Sequence, residues 1–352
     1  MKKILAVIPS IIFLAVSCNP FGQAKLSGVA KTTNGGADWT VANAIKDSQG
    51  TIGALNVASM DFDPKNRETV FVSGYNDGLY KSEDSGGSWS RILSKIFTYD
   101  FAIHPFDSNI IYAAGYFADK GRVVKTTDGG KSWEEIYSEA APTVTVRTVA
   151  LNPSQANQVV IGNSAGTLIR SNDAGISWKL VKSFEDRINS VFWQNGQVYV
   201  LVRGKGLFKS SNLETGEFIE LTESLTKAEN FLQNFTGLNE QSFNQAYIDR
   251  LSPNLIYLTA GKGLFKSLDE GKTWQKLSLP GKQTGDLPAR AVAVARASSN
   301  IVFVSVGTVV YKSTDGGQNW QTQNVNSSGY VNYILVDPQL PQVVYAGNYV
   351  SQ

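Results

Sequence analysis

From about residue 28 onward the chain alternates short apolar runs, rich in Val, Ile, Tyr and Phe, with clusters of Gly, Asp, Asn and Ser. Asn56–Leu93 shows the pattern most clearly. It predicts four strands, Ala58–Phe62, Thr69–Ser73, Leu79–Lys81 and Trp89–Ile92, turned at Asp63–Pro64, at Asn76–Asp77–Gly78 and at a third loop ending in Trp89. The unit returns at Phe101–Ile136, Val149–Val181, Val191–Leu221, Tyr247–Leu277 and Val292–Gln321. Residues 331–349 repeat only its first two strands, and residues 28–42 supply only its last two. Four strands per period of about 45 residues is the pattern of a β-propeller blade. The expected fold is all-β: a seven-bladed propeller of four-stranded blades, closed by a composite blade of N- and C-terminal strands.

The third turn of each unit is the most regular stretch. Lys125–Trp133 reads KTTDGGKSW, and Lys81–Trp89, Arg170–Trp178, Lys266–Trp274 and Lys312–Trp320 are close copies. Lys31–Trp39 places Asn34 in the Asp slot, and Lys209–Phe218 is a worn seventh copy with Asn212 and Phe218 standing in. A chain reversing direction here needs backbone at positive φ and caps for its unpaired N–H groups. Gly129 and Gly130 meet the first need, and Thr126 and Asp128 the second. Trp133 is large enough to fold back over the turn. These stretches resemble the Asp-box, or BNR, repeat, Ser/Thr-x-Asp-x-Gly-x-x-Trp. The resemblance makes Asp84, Asp128, Asp173, Asp269 and Asp315, with Trp89, Trp133, Trp178, Trp274 and Trp320, structural residues of a hairpin away from any active site. A cation precedes every box, and a Lys stem lying across a neighbouring aromatic is its expected use.

One segment breaks the rhythm. Near residues 226–237, Thr226 and Glu229 form a capping box, and Ala228, Phe231, Leu232 and Phe235 share one helical face. A short amphipathic helix packed on the propeller is expected there.

The first residues read as an address. Lys2 and Lys3 precede the apolar run Ile4–Val16, and small residues lead into Cys18, the only cysteine. This resembles a bacterial lipoprotein signal. Residues 1–17 would be removed, Cys18 would carry lipid, residues 18–27 would serve as anchor and linker, and 28–352 would form the propeller. Export to the cell envelope, periplasmic or surface-exposed, follows from that reading. Removing residues 1–17 takes two lysines and no acid, so the net charge of +2 falls to about zero. Nucleic-acid binding then has no electrostatic basis. With one histidine and one cysteine, no metal or cofactor is expected.

Boxes and Asp-Pro-type turns should lie at one end of the ring, and a ligand site at the other. Counting along the inner strands from those turns brings Arg147 and Arg290 to equivalent places, with Arg187 within a residue of the same place and Tyr99 and Asn332 as their counterparts in other blades. Three guanidinium groups at one mouth would clamp a carboxylate or phosphate; the alternative is that each pairs with an acid such as Asp100, Asp186 or Asp286 to stitch blades together. Tyr75–Asp77, Tyr116–Lys120, Arg203–Lys205 and Lys262 would add an aromatic and basic rim.

Asp boxes also occur in sialidases, but the Arg-Ile-Pro motif of that family is missing: neither Arg91–Ile92 nor Arg187–Ile188 is followed by proline. Xyloglucan-type glycosidases place one carboxylate on each of two propellers, and this chain has one. A glycosidase pair among Asp77, Asp119, Glu139 and Asp249 is the remaining enzymatic option. Serine-hydrolase chemistry is not expected, because the sole histidine, His104, falls in a turn at the far end. Over the predicted mature chain the resemblance is to propellers similar to the photosystem II stability and assembly factor and to the sortilin type. It implies a protein, peptide or glycan partner and no catalysis.

Overall fold

The computed structural model describes residues 25–226, 243–280 and 288–350. Among the described residues, twenty-eight strands form seven four-stranded antiparallel sheets. Six blades take their strands in chain order. The composite blade, numbered one, orders Thr40–Val41, Val29–Thr32, Val344–Tyr349 and Tyr330–Val336 from rim to channel. Val29 pairs with Gly347 and Thr32 with Val344, so the two ends of the chain are joined by a ladder of main-chain bonds. The second strand of each blade is nearly all buried, as in Val70–Gly74, Val159–Asn163 and Val302–Val306, because blades cover both its faces. The helix expected near 226–237 lies outside the described residues apart from Thr226, which closes the single helical turn Glu223–Thr226.

The boxes share one wiring. In blade three, Thr126 Oγ1 donates to Asp128 Oδ1 (2.7 Å), and the Gly130 N–H donates back to Thr126 Oγ1 (3.0 Å). The Ser132 N–H and hydroxyl donate to the two oxygens of Asp128. These donors, the Ser132 hydroxyl first, hold the Asp128 carboxyl far below the usual range. Asn34 works in the Asp slot because Asp38 faces it: Asn34 Nδ2 donates to Asp38 Oδ2 (2.9 Å). The glycine at the sixth place of six of the boxes is fixed by its neighbour as well as by φ. At Gly175 (φ 99°) a Cβ would sit 2.6 Å from Ile136 of the preceding blade.

Box cations and tryptophans both join blades, in opposite directions. Lys31, Lys125, Lys266 and Lys312 donate to the carbonyls of Ser85, Ala174, Gly316 and Gly35 in the next blade's box. Each ammonium also lies 5.2–5.7 Å from the ring centroid of its cross-strand aromatic, Tyr345, Tyr112, Tyr257 or Phe303. The three tyrosine hydroxyls donate to the same carbonyls as the lysines. The tryptophans reach back: the Trp133 indole N–H donates to Ile92 O and that of Trp178 to Ile136 O. Beyond covering their own turns, Trp133 and Trp178 therefore grip the outer strand of the blade before. Tyr345→Phe removes one of two donors to Ser85 O and is expected to cost about 1 kcal/mol in denaturant unfolding. An unchanged midpoint would remove that hydroxyl from the joint.

One joint is dismantled. Opposite Arg170 in blade four stands Val160, where the other six blades have an aromatic, and the next box is the worn one. Arg170 pairs instead with Glu214. A cleft of about 340 Å³ opens there on the box face, with Trp193 and Val198 in its wall. Its origin is the missing ring, and it lies away from the channel mouth on the other face.

Candidate functional site

Every inner strand carries a bulge at the same place. The bulged residues are Ala58, Tyr99, Arg147, Asn189, Asn244, Arg290 and Asn332, one per blade around the channel. A bulge frees its residue from the ladder and re-aims the side chain. At three positions that residue is a seam staple: Asn189, Asn244 and Asn332 donate from Nδ2 to Phe243 O, Ala289 O and Val57 O of the following blade, at 2.6–3.0 Å. Asn332 is thus committed to the blade joint through its amide nitrogen.

Arg147 and Arg290 occupy equivalent bulges, as the sequence count indicates. Arg187 does not: it lies two residues before the blade-five bulge, whose occupant is Asn189, and its Nε donates to Asn189 Oδ1 (2.9 Å). The count failed because blade five has no Asp-Pro turn. Its hairpin closes through Asn195 (φ 50°) and Gly196 (φ 72°), and the marker for counting is lost.

Nor do the three arginines form one clamp. Arg187 stands within reach of the like charges of Arg147 and Arg203, and Arg290 lies three blades beyond Arg147. The Arg147 guanidinium stacks on Tyr99, 4.2 Å from its centroid, and lies 5.5 Å from Tyr75. Tyr75 meets Tyr99 at 5.6 Å and Tyr349, edge-on, at 5.7 Å. Arg290 stacks on Tyr330 at 4.3 Å. Among the described residues, none of Arg147, Arg187 and Arg290 makes an ion pair, and Nε of Arg147 and of Arg290 is buried without a partner. Burial first, then the like charges of Arg147 and Arg203, lowers Arg187 to about 10.

The acids considered as stitching partners are engaged elsewhere. Asp186 accepts from the N–H groups of Arg187 and Gly204. Asp100 accepts from Thr148 Oγ1 (2.8 Å) and from the N–H groups of Val149 and Phe101. Asp286 lies outside the described residues.

The four carboxylates considered for hydrolysis are scattered. Asp77 is held by the Tyr80 hydroxyl and Arg91. Glu139 is buried against Asn163, and Asp119 sits at a turn tip with φ 62°. Asp249 is on the wrong face: it caps the box-side turn after Phe243–Ile248 and accepts from Leu251 N, Ser252 N and Ser299 Oγ. Its sequence, Asp-Arg-Leu-Ser-Pro, hides the turn because Arg250 stands where proline follows Asp63 and Asp337; the turn keeps their length, the Asp249 N–H donating to Leu255 O as that of Asp63 does to Thr69 O.

Two inner-strand carboxylates stand out beside these: Asp61, which the sequence did not single out, and Asp100, named from it only as a stitching acid. Confinement by protein raises both, Asp100 to about 6; Arg296 and Arg250 oppose the effect at Asp61. Both charges act on Tyr333. Asp61, Tyr330 and Tyr349 were missed because their roles depend on which blades meet, which no local motif encodes.

A family profile described as Sortilin-Vps10 (sortilin, neurotensin receptor 3) matches residues 77–239, and one described as photosynthesis system II assembly factor YCF48 matches residues 259–350. Among curated proteins, xyloglucanase Xgh74A of Acetivibrio thermocellus is 23% identical over 234 residues, 61% of this chain and 24% of that protein. The chain thus spans about a quarter of the length of that relative. The Niastella koreensis GH74 enzyme superposes with a TM-score of 0.65 at 17% identity, over 84% of this chain and 51% of the other. YCF48 bound to D1 peptide gives 0.60 at 18% identity, over 85% and 94%. Among the described residues no helix is long and apolar enough to cross a membrane. The chain is a seven-bladed Asp-box propeller, similar in one stretch to sortilin-type propellers and in another to the YCF48 assembly factor.

Proposed function

We propose that this protein is an exported, lipid-anchored binding propeller that takes a carboxylate-bearing partner, a protein or peptide segment foremost, at the mouth opposite the boxes. One observation carries this: Arg147, stacked on a tyrosine platform, stands within electrostatic reach of Arg187, and neither has an ion-paired acid among the described residues. A partly buried cation without a counter-charge costs stability, and a bound anion offsets that cost. Tyrosines 75, 99 and 349 add amphipathic contact area at little entropic cost. The matched YCF48 structure, which holds a peptide, supports the same reading by likeness of fold.

The test uses the folded Cys18→Ser protein and a hexaglutamate peptide. Arg147→Ala and Arg187→Ala should each weaken binding about tenfold, and Arg290→Ala should act independently of them. Equal affinity across all three would leave the arginines as blade staples. Loss of Cys18→Ser protein from the membrane fraction checks the anchor separately.

A glycoside hydrolase acting in the channel is the second reading. The raised carboxyls of Asp61 and Asp100 beside Tyr333 favour it, as does likeness to xyloglucanases. Reducing-sugar release from xyloglucan that Asp100→Asn abolishes would put hydrolysis in place of binding.

A further inference from the structure

The joint between the composite blade and blade two is built around an aromatic ring. Tyr345 lies beneath the Lys31 ammonium, which is 5.3 Å from the ring centroid, and meets Phe62 of blade two edge-on at 5.8 Å. Val70, paired with Phe62 across the first hairpin, belongs to the same buried cluster. Cation, ring and facing ring together close the space between these two blades.

Between blades four and five the same frame stands without its middle part. Arg170 takes the place of Lys31. Trp193 takes that of Phe62, four residues after the inner-strand bulge, and Val198, its cross-strand partner, answers to Val70. In the place of Tyr345 stands Val160, which has no ring. The cleft of about 340 Å³ on the box face is lined by all four, Val160, Arg170, Trp193 and Val198. Among the described residues Trp193 meets no other ring, although Phe62 does. Arg170 is only 7% exposed, and Glu214 of the worn box holds its guanidinium. A planar cation fixed in this way is a ready surface for a ring to stack on.

We propose that this cleft binds an aromatic side chain of a partner peptide, whose ring takes the place that Tyr345 fills in the closing joint, between the Arg170 guanidinium and the Trp193 indole. The volume is at the small end of the range for ligand sites and suits one ring better than a chain of sugars. The polar rim argues the same way. Asn152 Nδ2 donates to Gln158 Oε1 (2.7 Å), and Gln158 Nε2 donates to Gln155 Oε1 (3.0 Å). These amides are engaged with one another, and a sugar would have to part them to satisfy its hydroxyls, whereas an aromatic ring asks for no such bond. Exposed Ile176, in the same box as Arg170, and exposed Leu251 and Leu268, on the box face of blade six, offer apolar surface to the residues flanking the ring. An aromatic anchor in a preformed pocket is the usual centre of such a contact. The site is independent of the arginine–tyrosine mouth, which lies on the opposite face.

Nuclear magnetic resonance of the full-length Cys18→Ser protein provides the test. The reporter is the Trp193 indole N–H resonance, identified as the one missing from Trp193→Phe. The peptide acetyl-Gly-Gly-Phe-Gly-Gly-amide should move it saturably. Its leucine analogue should bind about fivefold more weakly, and its serine analogue should leave the resonance in place. Val160→Phe restores the ring that the other six blades carry, so it should fill the cleft and abolish the shift. Arg170→Gln keeps the cleft open and should weaken binding about fivefold. No saturable shift with the phenylalanine peptide, or equal affinity for the leucine peptide, overturns the aromatic occupant, and this comparison needs no variant to fold. A shift that persists in folded Val160→Phe, or unchanged affinity in Arg170→Gln, overturns the cleft as its seat. A xyloglucan oligosaccharide that moves the resonance at lower concentration than the peptide would replace the ring with a sugar and overturn the proposal.

Discussion

Trp89→Ala is expected to lose about 3–5 kcal/mol of unfolding free energy, the range for emptying a fully buried aromatic site. Trp89 has no exposed surface, and its indole N–H donates to Ala42 O at 2.7 Å. Its backbone adds a parallel bridge to Ile45, so one residue ties blade two to the closing blade by main chain and side chain together. Trp320→Phe is the internal control. The Trp320 indole nitrogen is buried without a partner, so the phenylalanine variant discards no hydrogen bond and is expected to stay within about 1.5 kcal/mol of the parent. Urea unfolding of both variants decides the matter. A loss below about 2 kcal/mol at Trp89→Ala would overturn the assignment of Trp89 to the joint with the closing blade.

The second large effect is a dependence on pH centred on Asp100. Burial raises this carboxyl from its ordinary value to about 6, against the pull of Thr148, Val149, Phe101 and Ser59. A carboxyl raised on folding binds its proton more tightly in the native state than in the unfolded chain. Its contribution to stability is therefore complete below about pH 4 and lost as pH rises through 6. Between those limits the parent should lose on the order of 2 kcal/mol that Asp100→Asn does not lose. Urea midpoints at pH 4, 5, 6 and 7 should thus converge on, or cross, those of the variant. Parallel curves would place the carboxyl in contact with water and free of this penalty.

The scaffold was legible because it is written seven times. A single KTTDGGKSW at Lys125–Trp133 would be an ambiguous turn; seven copies count the blades and orient the ring. Likewise, two incomplete units at the ends specify the joint between Val29–Thr32 and Val344–Tyr349. The site was legible only where the same counting reached it. Arg147 and Arg290 were found by counting back from Asp-Pro-type turns, and the method failed at Arg187, where blade five lacks that turn. It failed at Asp249 because Arg250 replaces the proline that marks the turn, although the turn itself keeps its usual length. Contacts between blades, such as Arg147 on Tyr99 or Tyr75 against Tyr349, join residues far apart in sequence and follow from closure of the ring. No spacing in the chain encodes them.

The lysine-to-carbonyl joints give the ring a polarity. Lys31 of the closing blade reaches Ser85 in blade two, and Lys312 of blade seven reaches Gly35 in the closing blade. The joints made by Lys31, Lys125, Lys266 and Lys312 all run the same way round, each blade donating to the next, in the manner of head-to-tail subunits in a cyclic oligomer. A unit so built carries both halves of its own interface. Duplicating a repeat that carries the lysine-to-carbonyl joint on both sides, such as blade seven, would therefore leave those joints matched, and the angle between neighbours would set how many blades complete the circle.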